Sequence, residues 1–91
     1  FNGCNKLIDI KLNSFDTSNV TNMSSMFSQC SSLTTLNLTS FNISKVTSMD
    51  NMFYGTTNLT NIKVSNKWVV GRTTTVEGMF KDSGTDHVTT V

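Results

Sequence analysis

Few residues in this chain could do chemistry, and their spacing argues against most of it. His87 stands by itself near the end, with no Cys or Ser at a recognised motif spacing. The acids are Asp9, Asp16, Asp50, Glu77, Asp82 and Asp86. A general acid/base pair needs two carboxylates held together, and no two of these recur as a pair at a fixed place. Serine is abundant, but no Gly-Xaa-Ser-Xaa-Gly elbow surrounds any copy. Asp82-Ser83-Gly84-Thr85-Asp86 is an acidic turn without the remaining ligands of a calcium loop. Zinc would need a closer cysteine pair or a nearby histidine than Cys4 and Cys30 provide. The expectation is no catalytic residue, no metal and no cofactor.

What positions these side chains is a repeat. Leu7, Ile10, Leu12, Phe15, Val20, Met23, Met26 and Phe27 recur twenty-six residues on as Leu33, Leu36, Leu38, Phe41, Val46, Met49, Met52 and Phe53. Ser14, Ser18 and Thr21 recur in the same register as Ser40, Ser44 and Thr47. A period in the twenties marks a solenoid, in which stacked units bury faces that none could bury alone. The units run over about 1–26, 27–52 and 53–79, with a partial unit at 80–91, all in a single domain.

Each unit has two halves. Ile10 and Leu12 alternate with Asp9, Lys11 and Asn13, and Leu36 and Leu38 alternate with Thr35, Asn37 and Thr39. Alternation by two predicts half-buried strands near Leu7–Leu12, Leu33–Leu38 and Ile62–Val64, paired in parallel. A turn rich in Asp, Ser and Asn follows. Val20, Met23, Met26 and Phe27 are then spaced by three, three and one. That stripe predicts short helices near Asn22–Phe27, Ser48–Phe53 and Thr75–Phe80, packed opposite the strands. Two helical turns would not hold alone and would depend on burial. The expected fold is a single-layer, right-handed α/β solenoid.

The third unit drifts. Leu59, Ile62 and Val64 keep the strand, but Asn66–Arg72 replaces the regular turn and carries one added residue. Trp68 takes the place of Phe15 and Phe41, and Thr73 falls where Val20 and Val46 stood. Val76, Met79 and Phe80 restore the stripe. Val88-Thr89-Thr90-Val91 echoes Leu33-Thr34-Thr35-Leu36 and suggests a fourth strand.

The chain has 91 residues, a formal charge of +1, 36% hydrophobic and 14% charged residues. The balance is made up by Ser, Thr and Asn. So neutral a surface does not attract nucleic acid or anionic lipid by charge. No apolar run approaches membrane-spanning length, which argues against direct membrane insertion. Phe1-Asn2-Gly3-Cys4-Asn5 does not read as a signal peptide. Because the chain opens in mid-repeat, it is expected to belong to something longer, with any further repeats or anchor outside it. Cys4 and Cys30 occupy the same place in successive units. One strand spacing of roughly 4.8 Å lies within disulfide range. Two buried thiols are the preferred reading, since Cys is a favoured small core residue and Thr56 fills the same place next.

The pattern Leu-Xaa-Xaa-Leu-Xaa-Leu-Xaa-Xaa-Phe-Asp-Thr-Ser-Asn-Val-Thr-Asn-Met-Ser-Xaa-Met-Phe resembles the repeat of BspA-like bacterial surface proteins, the Listeria–Mycoplasma branch of the leucine-rich repeats. Leu7–Ser32 matches it nearly throughout. Leu33–Asn58 departs at Thr56, where the family usually has Cys, and Leu59–Asp86 matches only at the strand and at Met79-Phe80. The resemblance implies a leucine-rich-repeat-like fold and an extracellular, cell-surface array anchored to the wall or by lipid. It also implies adhesion to a host or matrix protein or glycan. The matching residues are scaffold, so it carries over no ligand contact.

Two functions remain open, a recognition module and a structural spacer that projects another domain from the envelope. The candidate binding residues are Lys11, Asn37 and Lys63 on the open strand face, and Val69, Val70 and Arg72 in the irregular turn. Trp68 is assigned to the core. The Asn-Xaa-Ser/Thr triplets at Asn19, Asn22, Asn37, Asn42 and Asn58 are read as turn and cap hydrogen bonding.

Overall fold

The computed structural model describes Gly3, Leu12 and residues 16–91. Within them are three short strands, β1 (Thr35–Leu38), β2 (Asn61–Val64) and β3 (Thr89–Thr90). They form one parallel sheet in the order β1-β2-β3. Alternation by two is visible in burial: Leu36 and Leu38 are buried in β1, Ile62 and Val64 in β2, while Thr35, Asn37 and Lys63 are exposed. Leu36 pairs with Ile62 and Leu38 with Val64. The twenty-six-residue register thus keeps every apolar column on one face; a slip of one residue would expose it. β3 lies inside the segment expected at Val88–Val91. The strand expected over Leu7–Leu12 falls outside the described residues, as do Cys4, Leu7, Ile10, Lys11 and Phe15. Leu12, the one described residue of that run, is buried.

The three helices are not formed, which corrects the α/β expectation; among the described residues there is no helix. The backbone turns into the left-handed region at Ser25 (φ 58°) and Gln29 (φ 61°), where a right-handed helix cannot continue. The same two places recur as Asn51 and Gly55, then Gly78 and Asp82. Alternate amides leave the unit altogether. Those of Met23, Ser25, Phe27 and Gln29 donate to Ser48, Asp50, Met52 and Tyr54 at 2.6–2.9 Å. Those of Met49, Asn51, Phe53 and Gly55 donate to Thr75, Glu77, Met79 and Lys81 at 2.8–3.0 Å. The amides between them close four-residue turns, Met26 to Met23, Ser28 to Ser25 and Cys30 to Phe27. A two-turn helix leaves most of its end groups unsatisfied; here each of these eleven amides finds a carbonyl, eight of them one repeat further along the chain.

The extra residue of the third unit is located by register. Asn22 bridges Ser48, twenty-six residues on, but Ser48 bridges Thr75, twenty-seven on. Lys63 pairs with Thr89 at twenty-six again. One residue is therefore added between Val64 and Thr75, within the Asn66–Arg72 region, and one is dropped before β3.

Met23, Phe27, Cys30, Leu33, Leu36, Leu38, Phe41, Val46, Met49, Met52, Phe53, Leu59, Ile62, Val64 and Met79 are buried in one cluster with Leu12, joined by Ile43. Val20, Met26, Trp68 and Phe80 are half-buried and pack against it. Val76 corrects the expected core: it is 44% exposed. Met49, its counterpart one unit earlier, is covered by the third unit, whereas no described unit follows Val76. Phe27, Phe53 and Phe80 stack in a column, with centroids 5.8 and 5.5 Å apart. At the place of Cys30, the Thr56 hydroxyl lies 2.6 Å from the Phe53 carbonyl and 2.9 Å from the Ser83 hydroxyl. A small polar residue is thus satisfied inside the core.

Candidate functional site

The outer face of the sheet is built from small polar side chains. Asn37 pairs with Lys63, and Lys63 with Thr89. Asn37 and Lys63 line a shallow groove of about 350 Å3 with Thr35, Leu36 and Asn61. The Asn37 side chain is not free to reach out, because its Oδ1 accepts from the Thr39 amide (3.1 Å) and hydroxyl (2.7 Å). Asn61 Oδ1 is buried there without a hydrogen-bond partner. Asn22 and Asn42 also bind the backbone two residues on, at 2.8 and 3.0 Å. Asn58 donates to the Ser31 carbonyl at 2.9 Å, and Asn19 accepts from Lys45 at 3.1 Å. These are local turn and inter-unit contacts.

The irregular turn builds a different surface. A turn from Trp68 back to Ser65 (3.1 Å) sets the indole against the core, and one from Thr74 to Gly71 (3.2 Å) closes the segment. Val69 is 68% exposed, Val70 46%, and Arg72 is exposed. Trp68 and Val70 converge with Val76, Met79, Phe80 and Val88 around a largely apolar hollow of about 420 Å3, with His87 as its polar member. Val69 and Arg72 line neither this hollow nor the sheet groove. Sequence reasoning missed Val76, His87 and Val88 as lining residues. The available signal was that a stripe in the last full unit needs a cover beyond it.

Charge is sparse here. The His87 Nδ1 lies 2.8 Å from Asp86 Oδ1, and both side chains are exposed. The hydrogen bond to His87, with its Coulombic attraction, holds the Asp86 carboxyl below its ordinary value of 3.8. Asp16 is lowered likewise by the side-chain and backbone hydrogen bonds from Ser18, at 2.7 and 3.0 Å. Among the described residues, no three His, Cys, Asp or Glu side chains gather as metal ligands, and no helix is long and apolar enough to cross a membrane. Of the two expected thiols, Cys30 is buried in the core and Cys4 lies outside the described residues.

Against known proteins, residues 1–89 match the model of the family described as "Mycoplasma protein of unknown function, DUF285". The chain belongs to this family. The match runs through every repeat unit, including the irregular third, so the family relationship is a property of the repeat as a whole. The match is to this family and does not show the BspA-like assignment specifically. No curated protein and no solved structure matches the chain.

Proposed function

We propose that this chain is a non-enzymatic recognition module of the BspA-like kind, a leucine-rich-repeat-like solenoid on the outside of the cell that adheres to a host or matrix protein or glycan. The stacking bonds between successive units and the parallel sheet support the solenoid. One observation carries recognition. The large hydrophobic residues that stand exposed among those described, Val69, Val70, Val76 and Val91, all lie in the last quarter of the chain. Exposed apolar surface marks interaction sites, and Val70 and Val76 line the same apolar hollow. Affinity per module is low, and useful strength comes from many modules on one surface.

A spacer role is the second reading. It is favoured by the sheet face, where Asn37 is tied to Thr39 and no aromatic side chain lies among the groove residues. A binding screen of the parent, a V70S/R72A variant and a K11A/K63A variant against host and matrix components separates the two. Loss of binding in V70S/R72A supports recognition through the irregular turn. Binding by none of the three supports the spacer.

A further inference from the structure

We propose that the turn face carries a site for a neutral saccharide, in the hollow between two successive rows of turns that is lined by Asp50, Asn51, Tyr54, Glu77, Gly78 and Lys81. The site shares no lining residue with the apolar hollow beside the irregular turn. It goes beyond the recognition reading and stands or falls separately from it.

Positions that hold the stack together keep their residue from row to row. Thr21, Thr47 and Thr74 stand in one column, and the hydroxyls of Thr47 and Thr74 donate to the carbonyls of Thr21 and Val46 at 3.1 and 2.9 Å. Three neighbouring columns break that habit: Ser24, Asp50 and Glu77; Ser25, Asn51 and Gly78; Ser28, Tyr54 and Lys81. Serine in the first row gives way to two carboxylates, an amide, a cation and the chain's single tyrosine. Packing asks for none of these, since serine fills all three places in the first row. Nor does the face depend on what stacks beyond it. Asn51 is exposed, and Asp50 and Tyr54 are half-buried, although another row is already stacked on theirs.

The hollow has a volume of about 420 Å3, in the size range of small-ligand sites. Asp50 is fixed in it, its Oδ1 accepting from the Glu77 amide at 2.8 Å. A Cβ added at Gly78 would collide with Asn51 Oδ1, so the Asn51 amide lies across the step between the rows. Among the described residues, the side chains of Asn51, Tyr54, Glu77 and Lys81 have no hydrogen-bond or ionic partner. Carboxylate and amide groups can each meet two neighbouring hydroxyls, which a pyranose ring presents along its rim. The C–H face of such a ring packs on an aromatic side chain, which Tyr54 supplies. A wholly apolar occupant would strip water from Asp50 and Glu77 without replacing its hydrogen bonds. Two carboxylates against the single Lys81 repel a sulfated or sialylated sugar.

The test is an amide NMR titration of the full chain with lactose, maltotriose and mannotriose, and with sialyllactose as the anionic control. At least one neutral sugar should shift the amides of Asn51, Tyr54, Gly78 and Lys81 saturably at millimolar concentration. Sialyllactose should bind about tenfold more weakly or worse. Tyr54→Ser installs the residue that Ser28 holds in the first row. Gly78→Asn repeats Asn51 at a matching backbone angle (φ 57° at Asn51, 65° at Gly78) and displaces the Asn51 amide. Both variants should keep a cooperative melt and bind the neutral sugar about tenfold more weakly or worse, while V70S/R72A should bind it as the parent does. No saturable shift with any neutral sugar at tens of millimolar, equal affinity for sialyllactose, or unchanged affinity in either folded variant would overturn the proposal. Shifts of the same amides by tetralysine and by no sugar would assign the face to a basic protein segment and also overturn it. Binding of a matrix component that V70S/R72A abolishes, with no sugar bound, would sink the saccharide site and leave the recognition reading standing.

Discussion

Phe53 lies between Phe27 and Phe80, its ring centroid 5.8 Å from one and 5.5 Å from the other. It therefore ties together three successive copies of the repeated Phe, and its own exposure is 0%. Truncating Phe53 to Ala should cost roughly 3–5 kcal/mol. So short an array should lose its cooperative melt or shift far below the parent midpoint in denaturant. An M49A/F53A variant that melts near the parent midpoint would contradict this placement.

Ser25 tests the turn against the helix. Its φ of 58° disfavours a β-branched side chain, so Ser25→Val should destabilise by about 1–3 kcal/mol. Ser25→Gly should be near neutral, because glycine adopts this φ freely. In a helix the order would reverse, with glycine the worse residue. Urea unfolding of the two variants distinguishes the cases, and the parent's far-ultraviolet circular dichroism should lack the double minimum of a helix.

Gly84 sits where the chain passes Thr56–Leu59, one repeat earlier. Its amide donates to the Thr56 carbonyl at 3.0 Å. A Cβ added there would collide with the Leu59 carbonyl oxygen and lie 2.8 Å from that of Thr57. Both are backbone atoms that cannot swing away. Gly84→Ala should cost about 1–3 kcal/mol by overpacking, read as a lower denaturation midpoint with an unchanged slope.

Thr56 should be replaceable only at a cost. Thr56→Val keeps the volume but removes the hydroxyl that reaches the Phe53 carbonyl and Ser83. The loss should be about 1 kcal/mol. Combined with Ser83→Ala the two changes should be less than additive, since they break one contact. Additive midpoints in a double-mutant cycle would show the pair to be uncoupled.

His87→Ala should raise the Asp86 carboxyl back toward its ordinary 3.8, because the hydrogen bond and charge that lower it would be gone. With the folded-state value depressed, any stability from this exposed pair is present above 3.8 and is lost as pH falls through the lowered value. A carboxyl carbon NMR titration of parent and variant reads the shift. An unchanged Asp86 midpoint would refute the contact.

By itself the sequence determined the repeat, its register and the described strands. Leu36, Leu38, Ile62 and Val64 alternate with polar neighbours, and a period of two has one structural meaning when a partner lies at the same offset. The insertion near Trp68 was legible too, as a break in spacing. The Met-Xaa-Xaa-Met-Phe segments were not legible as turns. A spacing of three, three and one suits an amphipathic helix and equally a run of tight turns closed by bonds to the residue three back. The choice was made by where the amides of Met49, Asn51 and Phe53 find acceptors, and those acceptors are in the next unit. Ser25, Asn51 and Gly78 hold one left-handed place, as do Gln29, Gly55 and Asp82; four of the six are Gly, Asn or Asp, which favour that conformation, while Ser25 and Gln29 give no sign of it. The exposure of Val76 was decided in the same way. Its residue type suits a core, but burial depends on a neighbouring unit, and only the stacking of the units in space shows which face has one.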